Sequence, residues 1–348
     1  MASKSTNRKG RSELERVAIL HGALVLLTAA LMRLPGGVPW ILTAPANLLP
    51  VLILPSFLLV PLFLKRRSLL VSGLQIASVV VGCTLFGGRL FEELTGSEES
   101  FVRRENVGEA DGTWPNQLRV FTYNTGVGLA SAERVAEFLE EAKPDIVCLV
   151  EVTNRFADQL ETLTAASYPH RVFYAGGIDG KGLLSKYPIT SQELFAWEDG
   201  RPFLRATLDV LHESVELFVV HFSPTVGILD RGAAAGRDLD KLVKLVHLDS
   251  STLIAGDFNT TMRSPSHALL NLAGFRDSFI EAGSGIGPTF PVFGRYFGLP
   301  IGCFMRIDYV WHGSSFWAEQ AKVGPDLGSD HLPVIVDLRL LARHLSSD

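Results

Sequence analysis

The apolar residues of this chain are unevenly placed, and their placement limits what the chain can fold into. Three runs without Asp, Glu, Lys or Arg, at 17–32, 40–64 and 68–86, fall within the first ninety of 348 residues. A bilayer core is spanned by about 17–25 mainly apolar helical residues. The second and third runs reach this length and the first is marginal. We therefore predict about three transmembrane helices, at about 17–32, 43–64 and 68–86.

Two other interpretations of these runs remain open. The first run is short enough to be the core of a signal peptide, and all three could be buried helices of a soluble protein. The rest of the chain offers no partner segments long enough to cover them, which favours the membrane. Pro45, Pro50, Pro55 and Pro61 interrupt the second run. We expect that helix to be kinked or to begin near Asn47.

The charges around the runs predict an orientation. Basic residues crowd 1–16, Lys65, Arg66 and Arg67 separate the second run from the third, and acidic residues follow the third. Positively charged loops stay in the cytoplasm. The N-terminus is then cytoplasmic, and the remaining chain lies on the opposite side of a bacterial-type cell membrane, whether or not the first run is cleaved.

This gives a predicted organisation for an integral membrane protein. A cytoplasmic basic N-terminus (1–16) precedes a membrane domain (17–88), a polar linker (89–116), a C-terminal domain (117–342) and a tail (343–348). From Phe101 onward there are 22 Lys and Arg residues against 31 Asp and Glu residues. Such an acidic domain lacks a broad electrostatic footprint for nucleic acid. Its cysteines form no CxxC pair or zinc-type spacing.

The C-terminal domain alternates short apolar runs with polar turns. The runs at 118–123, 145–150, 171–174, 182–185, 203–210, 215–220, 252–255, 307–311 and 333–338 are predicted strands. Helices are predicted at 131–141, with Ser131 as N-cap, and at 231–246. Many strands with few intervening helices favour the α+β class or a layered sandwich.

Polar residues stand at the ends of these strands. Asn124, Glu151, His221, and Asp257 with Asn259 each follow an apolar run, whereas Asp308 and the pair Asp330-His331 precede one. Strands running in opposite directions would bring all of these side chains to one rim of a sandwich. A cluster of carboxylates at that rim requires cations or shifted pKa values. Carboxylate and amide oxygens without thiolates favour Mg²⁺ or Mn²⁺ over Zn²⁺.

The same residues carry a resemblance to a known family. The segments Phe-Thr-Tyr-Asn124, Cys-Leu-Val-Glu151, Val-Val-His221, Gly-Asp257-Phe-Asn259, Arg-Ile-Asp308-Tyr and Ser-Asp330-His331-Leu-Pro-Val occur in the order of the endonuclease/exonuclease/phosphatase (DNase I-like) superfamily. The match covers about 220 residues. It implies a four-layer α/β/β/α sandwich with two mostly antiparallel sheets face to face.

The resemblance also implies roles. Asn124 and Glu151 would hold the principal metal ion, with Asp330 sharing a second or migrating ion. His331, oriented by Asp308, would act as base toward water or stabilise the phosphorane, and Asp257 is the competing base.

In the same scheme, Asn259 would steady water or a phosphate oxygen. His221 would donate to a phosphate oxygen or to the leaving group. These groups together neutralise charge, position the nucleophile and protonate the leaving oxygen.

Each assignment has an ordinary structural alternative, such as a turn cap for Asn124 or a hydrogen-bonded core histidine for His221. Lys181 and Lys186 are interpreted as solvated loop charges. The aromatic side chains of 290–297 are either a packed loop, a substrate lip or a membrane-contacting surface.

The substrate stays open between two phosphoester classes. The motifs slightly favour a nuclease-like phosphodiesterase, and the membrane tether favours a lipid phosphodiesterase or phosphatase. A catalytically silent binding domain is the third alternative. The predicted partners are therefore a phosphoester substrate, either nucleic acid or lipid headgroup, and membrane lipid, with no obligate protein partner evident.

Overall fold

The computed structural model describes residues 12–31, 48–95, 116–195, 200–223, 239, 241–246, 251–262, 264–295 and 302–341. In the N-terminal part of these residues the apolar runs are helical. The helices are α1 (Glu13–Leu31), α2 (Leu49–Lys65) and α3 (Leu69–Thr95).

Among the described helices, α1 alone is long and apolar enough to cross a bilayer. It has 19 residues and a mean hydropathy of 1.7. The apolar parts of the other two, Val51–Lys65 and Leu69–Leu85, are shorter. Signal sequences and core helices can share the properties of α1. The expectation of about three spans is therefore supported for one helix, and 43–47 of the second predicted span lies outside the described residues.

A buried polar contact links the three helices. Gln75 of α3 accepts a hydrogen bond from Ser56 of α2 at 2.8 Å and donates to the backbone oxygen of Ala18 in α1 at 2.7 Å. Both side chains are fully buried. Polar groups in apolar surroundings contribute to helix association when they are paired in this way.

The C-terminal part contains two sheets with helices beside them. The described strands are β1 (Gln117–Asn124), β2 (Ile146–Val150), β3 (His170–Tyr174), β4 (Lys181–Ser185), β5 (Ile189–Phe195), β6 (Phe203–Val210), β7 (Glu213–His221), β8 (Ser251–Asp257), β9 (Arg276–Asp277), β10 (Asp308–His312), β11 (Phe316–Val323) and β12 (Val334–Leu340). The helices are α4 (Ala132–Ala142), α5 (Asn154–Thr164), α6 (Pro265–Leu272) and α7 (Ser278–Ala282).

Both sheets are mixed. The described strands of the first follow the order β11-β12-β1-β2-β4-β3, and those of the second follow β5-β6-β7-β8-β10-β9. Each sheet has a parallel pair near its centre, β1 with β2 and β7 with β8, and its other described pairs are antiparallel. The predicted strands all occur, with small shifts at their ends.

Alternating side chains in the strands explain the layers. In β2, Ile146, Cys148 and Val150 pack between the sheets, while Val147 and Leu149 pack toward the helices α4 and α5. The outer face of the second sheet packs in the same way against 239–246 and α6. Side chains of successive strand residues point to opposite faces, so strands covered on both sides are continuously apolar. These layers agree with the predicted four-layer sandwich.

The predicted N-cap of α4 is confirmed. The Ser131 side chain accepts a hydrogen bond from the backbone nitrogen of Arg134 and caps α4. Residues 231–238 and 240 of the predicted helix at 231–246 lie outside the described residues, and 241–245 is helical.

Candidate active site

The strand directions bring the predicted polar residues to one rim of the sandwich. In the second sheet, Asp257 at the end of β8 pairs in register with His221 at the end of β7 and with Asp308 at the start of β10. In the first sheet, β1 ends at Asn124 beside the end of β2, and β12 begins there in the opposite direction. All eight predicted site residues therefore lie at or beside this rim.

Asn124 connects the two sheets. Its Nδ2 donates to Glu151 Oε1 at 3.2 Å and to Asp257 Oδ2 at 3.0 Å, while its Oδ1 accepts from the Gly126 nitrogen at 2.9 Å. The amide nitrogen thus faces the carboxylates. A metal ligand would be the amide oxygen, so that role requires the amide to turn over, which is a common ambiguity for asparagine.

Glu151 is held in an unusual backbone conformation. Its φ is 60°, in the left-handed region that non-glycine residues rarely adopt. The Thr125 hydroxyl donates to the backbone oxygens of Val150 and Glu151, at 3.1 and 2.9 Å, and fixes this turn. Burial raises the pKa of the Glu151 carboxyl. Strain of this kind is often found where a side chain must be aimed into a site.

Asp257 is almost fully buried at the centre of the cluster. Its Oδ1 accepts from the Asn259 nitrogen at 2.8 Å, and its Oδ2 accepts from Asn259 Nδ2 at 3.2 Å. Burial, and then the charge of Asp308, raise its pKa to about 7. Asn259, with φ of 49°, therefore holds the Asp257 carboxylate, and its Nδ2 also donates to the Phe222 oxygen at 2.9 Å.

His331 is oriented by Asp308, as the resemblance implies. Its Nδ1 lies 2.9 Å from Asp308 Oδ2, and its Nε2 lies 3.8 Å from Asp257 Oδ2. The ring of Phe290 packs on the imidazole with centroids 4.7 Å apart. Burial lowers the pKa of His331, but the carboxylates of Asp308 and Asp257 outweigh it and raise the pKa to about 10.

His221 is buried between the carboxylates and two cations. Its Nε2 lies 3.5 Å from Glu151 Oε1 and from Asp257 Oδ2, and its Nδ1 lies 3.1 Å from the Ile178 oxygen. Burial, and then the charges of Arg201 and Lys181, hold its pKa well below the usual range. A neutral ring with Nδ1–H bonded to Ile178 leaves Nε2 as an acceptor, so donation to a leaving group requires protonation or a change of tautomer.

Arg201 is a site residue that the sequence reasoning missed. Its Nη1 contacts the His221 ring and lies 3.1 Å from Nδ1. The signal was present in the sequence, because the start of β6 and the end of β7 share the open end of one hairpin. Arg201 lies two residues before β6, and His221 ends β7. A guanidinium at this place suits charge-assisted bonds to a phosphate.

The interpretation of Lys181 as a solvated loop charge is wrong. The side chain is fully buried at the start of β4, where Nζ donates to the Asp179 oxygen at 2.9 Å. Burial lowers its pKa to about 8. Leu183, two residues later in β4, packs between the two sheets, and the Lys181 side chain lies on the same face of the strand. Lys186, by contrast, is partly exposed and pairs with Asp145 at 3.1 Å.

Asp330 and the neighbouring loop close the other side of the site. Asp330 is partly exposed and accepts from the Ser329 hydroxyl at 3.2 Å. Phe290 is packed against His331, whereas Phe293 is 67% exposed. The other aromatic residues of this loop, Tyr296 and Phe297, lie outside the described residues.

The donor set fits a divalent cation. Atoms of Asp257, Asp308 and His331 that could bind a metal lie within 4.8 Å of one another. Asp308 Oδ1 is buried and has no hydrogen-bond partner among the described residues. Carboxylates crowded in this way are stabilised by a hard cation. The fold and the site together define a class: two-sheet sandwiches with an acidic, metal-type site at one rim, as in the phosphoester hydrolases that the sequence motifs resemble.

Comparison with known families gives the same class. The profile of the Endonuclease/Exonuclease/phosphatase family matches residues 121–331. The chain belongs to this family, and the match contains every predicted site residue. Among curated proteins, no sequence matches the chain.

Solved structures share the fold. An endonuclease/exonuclease/phosphatase from Beutenbergia cavernae is 22% identical, with a TM-score of 0.56, covering 65% of this chain and 72% of that chain. TDP2 of D. rerio, solved with a single-strand DNA product, is 16% identical, with a TM-score of 0.53 and coverages of 64% and 99%. A Bacteroides vulgatus family member is 18% identical, with a TM-score of 0.54 and coverages of 64% and 99%. At these identities the likeness concerns the fold.

The placement of Arg201 gives a first prediction. Arg201→Met is expected to reduce kcat/KM for a phosphoester by roughly 10–100-fold, because a charge-assisted hydrogen bond contributes about 1.5–3 kcal/mol. Arg201→Lys keeps the charge and is expected to lose less. Steady-state kinetics of both variants is the measurement, and equal rates for wild type and Arg201→Met would contradict a phosphate contact.

Proposed function

We propose that this chain is a divalent-metal-dependent phosphoester hydrolase, held at a membrane with its active site outside the cytoplasm. The observation that carries the proposal is the convergence of Asn124, Glu151, Asp257, Asp308 and His331 at one rim. The family of the chain consists of phosphoester hydrolases, and the pattern of polar contacts suits an in-line attack on phosphorus by water.

The metal is proposed to be Mg²⁺ or Mn²⁺. Asn124 and Glu151 would hold it, through the amide oxygen of the former, with Asp330 available for a second or migrating ion. Asp257 and Asp308 are the neighbouring carboxylates that support the positive charge. When bound, the ion supplies charge neutralisation of the phosphate oxygens. The oxygen-rich donor set of the described site supports these two metals over Zn²⁺.

The protein groups would divide the remaining work. Asp308 holds His331 by Nδ1 at 2.9 Å, which aims Nε2 at the space beside Asp257. Asp257 would take the proton of the attacking water, and His331, whose pKa is raised to about 10, would be cationic and stabilise the charge that develops. Asn259 keeps the Asp257 carboxylate in position.

The leaving-group side would be formed by His221 and Arg201. Their contact places a cationic guanidinium beside a buried imidazole. Arg201 would neutralise a phosphate oxygen, and His221, kept neutral by burial and by Arg201, would donate a hydrogen bond to the departing oxygen from its Nε2–H tautomer.

The membrane placement is proposed from α1 and from the charge pattern. α1 is apolar enough to cross, and the two shorter helices would complete about three spans. Lys65, Arg66 and Arg67 between α2 and α3 would remain cytoplasmic. The C-terminal domain would then act on a substrate outside the cytoplasm.

The test is hydrolysis by the full-length chain, in detergent or nanodiscs, with Mg²⁺ or Mn²⁺. DNA, RNA, phospholipid and sphingomyelin vesicles, and bis(p-nitrophenyl) phosphate are offered in parallel. We expect metal-dependent turnover that disappears in the Asp257→Ala/His331→Ala variant. A folded, metal-loaded chain that hydrolyses none of them would favour a silent binding domain instead.

A further inference from the structure

Large apolar side chains are exposed around the mouth of the site. The exposed fractions are 48% for Val127, 53% for Leu129, 47% for Ile178 and 67% for Phe293. They lie on three different loops, after β1, before β4 and before β10. Single exposed apolar residues are ordinary, whereas an exposed group beside a site marks an interaction surface.

Contacts show that the loops of Leu129 and Phe293 both meet Asp330. A methyl group built on Gly126 would lie 3.0 Å both from Leu129 Cδ1 and from Asp330 Oδ1. On the other side, the nitrogen of Val292, next to Phe293, donates to the Asp330 oxygen at 2.8 Å.

The other two side chains border the His221 side. A methyl group built on Gly177 would lie 3.6 Å from Val127 Cγ1. The oxygen of Ile178 lies 3.1 Å from His221 Nδ1. The three loops that carry the four apolar side chains therefore lie along the edge of the site from Asp330 to His221.

Val127 adds a second, independent sign. Its φ is 49°, and a β-branched residue in the left-handed region is a conformational outlier. With this backbone about half of the side chain stays exposed to solvent in the folded protein. Such strain suits a surface that gains its contacts on binding.

We propose that Val127, Leu129, Ile178 and Phe293 form a membrane-docking rim that seats the site on the headgroup region of a bilayer, where the substrate is a lipid phosphoester. The substrate class rests on the proposed hydrolytic function, and docking rests on the proposed membrane placement alone.

The occupant follows from the rest of the chain. The apolar helix α1 supports a position beside a bilayer. Thr95 ends α3 and Gln117 begins β1. The residues between them span up to about 70 Å when extended, at about 3.3–3.6 Å per residue, so the rim can reach the bilayer. Nucleic acid is less suited, because its backbone is bound through Lys and Arg clusters, whereas these loops present apolar tips.

Docking is tested by a binding measurement that does not depend on hydrolysis. The background is the full-length chain with Cys83→Ser and Cys303→Ser, and the buried Cys148 is kept. A single fluorophore is attached to this chain through Phe293→Cys or, as the control, through Leu211→Cys. Leu211 is also exposed but sits at the far end of β7 from His221, roughly 30 Å away at about 3.3 Å per residue. In phosphatidylcholine/phosphatidylglycerol vesicles containing nitroxide lipid, we expect strong quenching at position 293 and little at 211. Equal quenching at both positions would overturn the proposal.

A second arm separates lipid from nucleic acid and docking from catalysis. Leu129→Ser/Phe293→Ser is expected to lower activity on phospholipid vesicles by about tenfold or more, and to leave bis(p-nitrophenyl) phosphate hydrolysis unchanged, because only apolar contact area is removed. Leu211→Ser is the control. Equal losses of activity on both substrates would overturn the proposal. So would a change in the fluorescence of the label at position 293 on adding an oligonucleotide but not on adding vesicles. If the wild-type chain docks on vesicles but hydrolyses no substrate, the proposed hydrolytic function is contradicted and the membrane-docking rim is still supported.

Discussion

Asp257→Asn is expected to lower turnover by about 10²–10⁴-fold, the range that a positioned acid–base group contributes. Asp257 Oδ2 accepts a hydrogen bond from Asn124 Nδ2 at 3.0 Å and from Asn259 Nδ2 at 3.2 Å. An amide in its place removes the charge, and in one orientation it sets a donor against these donors. Steady-state kinetics on a soluble phosphodiester measures the loss.

The same substitution is expected to leave the fold intact. Burial and Asp308 raise the pKa of Asp257 to about 7, which means that its ionised form is disfavoured in the folded chain without an added cation. Removing the charge should therefore leave the metal-free Tm unchanged or raise it, as at other strained functional sites. Asp209→Asn, an exposed position at the far end of β6, is the matched control and should keep full activity. A large fall in Tm for Asp257→Asn would show a structural role instead.

Asp277→Asn is expected to destabilise the protein by about 3–5 kcal/mol, because it leaves a buried cation without its partner. Arg306 donates to both Asp277 oxygens, at 3.0 and 2.9 Å, and both side chains are almost fully buried. His267 Nε2 lies 2.9 Å from Asp277 Oδ2. Asp277 also caps α7 through the nitrogens of Phe279 and Ile280. For a domain of this size we expect a fall in Tm of roughly 2–4 °C per kcal/mol.

The control is an exposed ion pair. Glu161→Gln removes the partner of Arg171. The Glu161 side chain is 50% exposed and that of Arg171 is 25% exposed, so the free energy of unfolding should fall by less than about 1 kcal/mol. Thermal unfolding of both variants is the measurement. Similar shifts in the two would contradict the assigned role of the buried pair.

The Asp277 pair also predicts an acid limit. Burial alone would raise the pKa of Asp277, but the charge of Arg306 and the bonds from His267 and Arg306 hold it well below its usual range. Its contribution to stability is then present above the unfolded value of about 3.9 and is lost as the pH falls below it. Asp277→Asn should show a weaker fall in Tm than wild type between about pH 4 and pH 2.

The sequence predicted the site because short-range rules apply there. Asn124, Glu151, His221 and Asp257 each end an apolar run, and strand direction alone brings such ends together. What the sequence could not supply was the neighbour of each strand. Lys181 was misinterpreted because its burial depends on the second sheet packing over this face of β4.

The strands that were missed have weak local signals for physical reasons. β5 pairs only with β6 among the described strands of its sheet, and most of its side chains are exposed, so its sequence is polar. β11 contains a register shift between Ala318 and Gln320 that breaks its alternation. The Asp277–Arg306 pair joins residues from separate segments, and neither position stands in a pattern that periodicity detects.

The N-terminal helices show the converse limit. Apolar composition predicted helices at the right places, because long apolar runs favour them. Whether each run crosses a bilayer depends on length and on neighbours. The described apolar part of α2 is 51–65, shorter than the predicted span at 43–64.

The most direct test of the proposed function is Mn²⁺ binding by the full-length chain, followed by electron paramagnetic resonance, because it requires no knowledge of the substrate. We predict saturable binding by the wild type that competes with Mg²⁺. We also predict that binding is greatly weakened in Glu151→Gln, whereas the exposed control Glu161→Gln binds as wild type. Absence of saturable binding, or equal binding by wild type and Glu151→Gln, would contradict a metal-dependent active site at this rim.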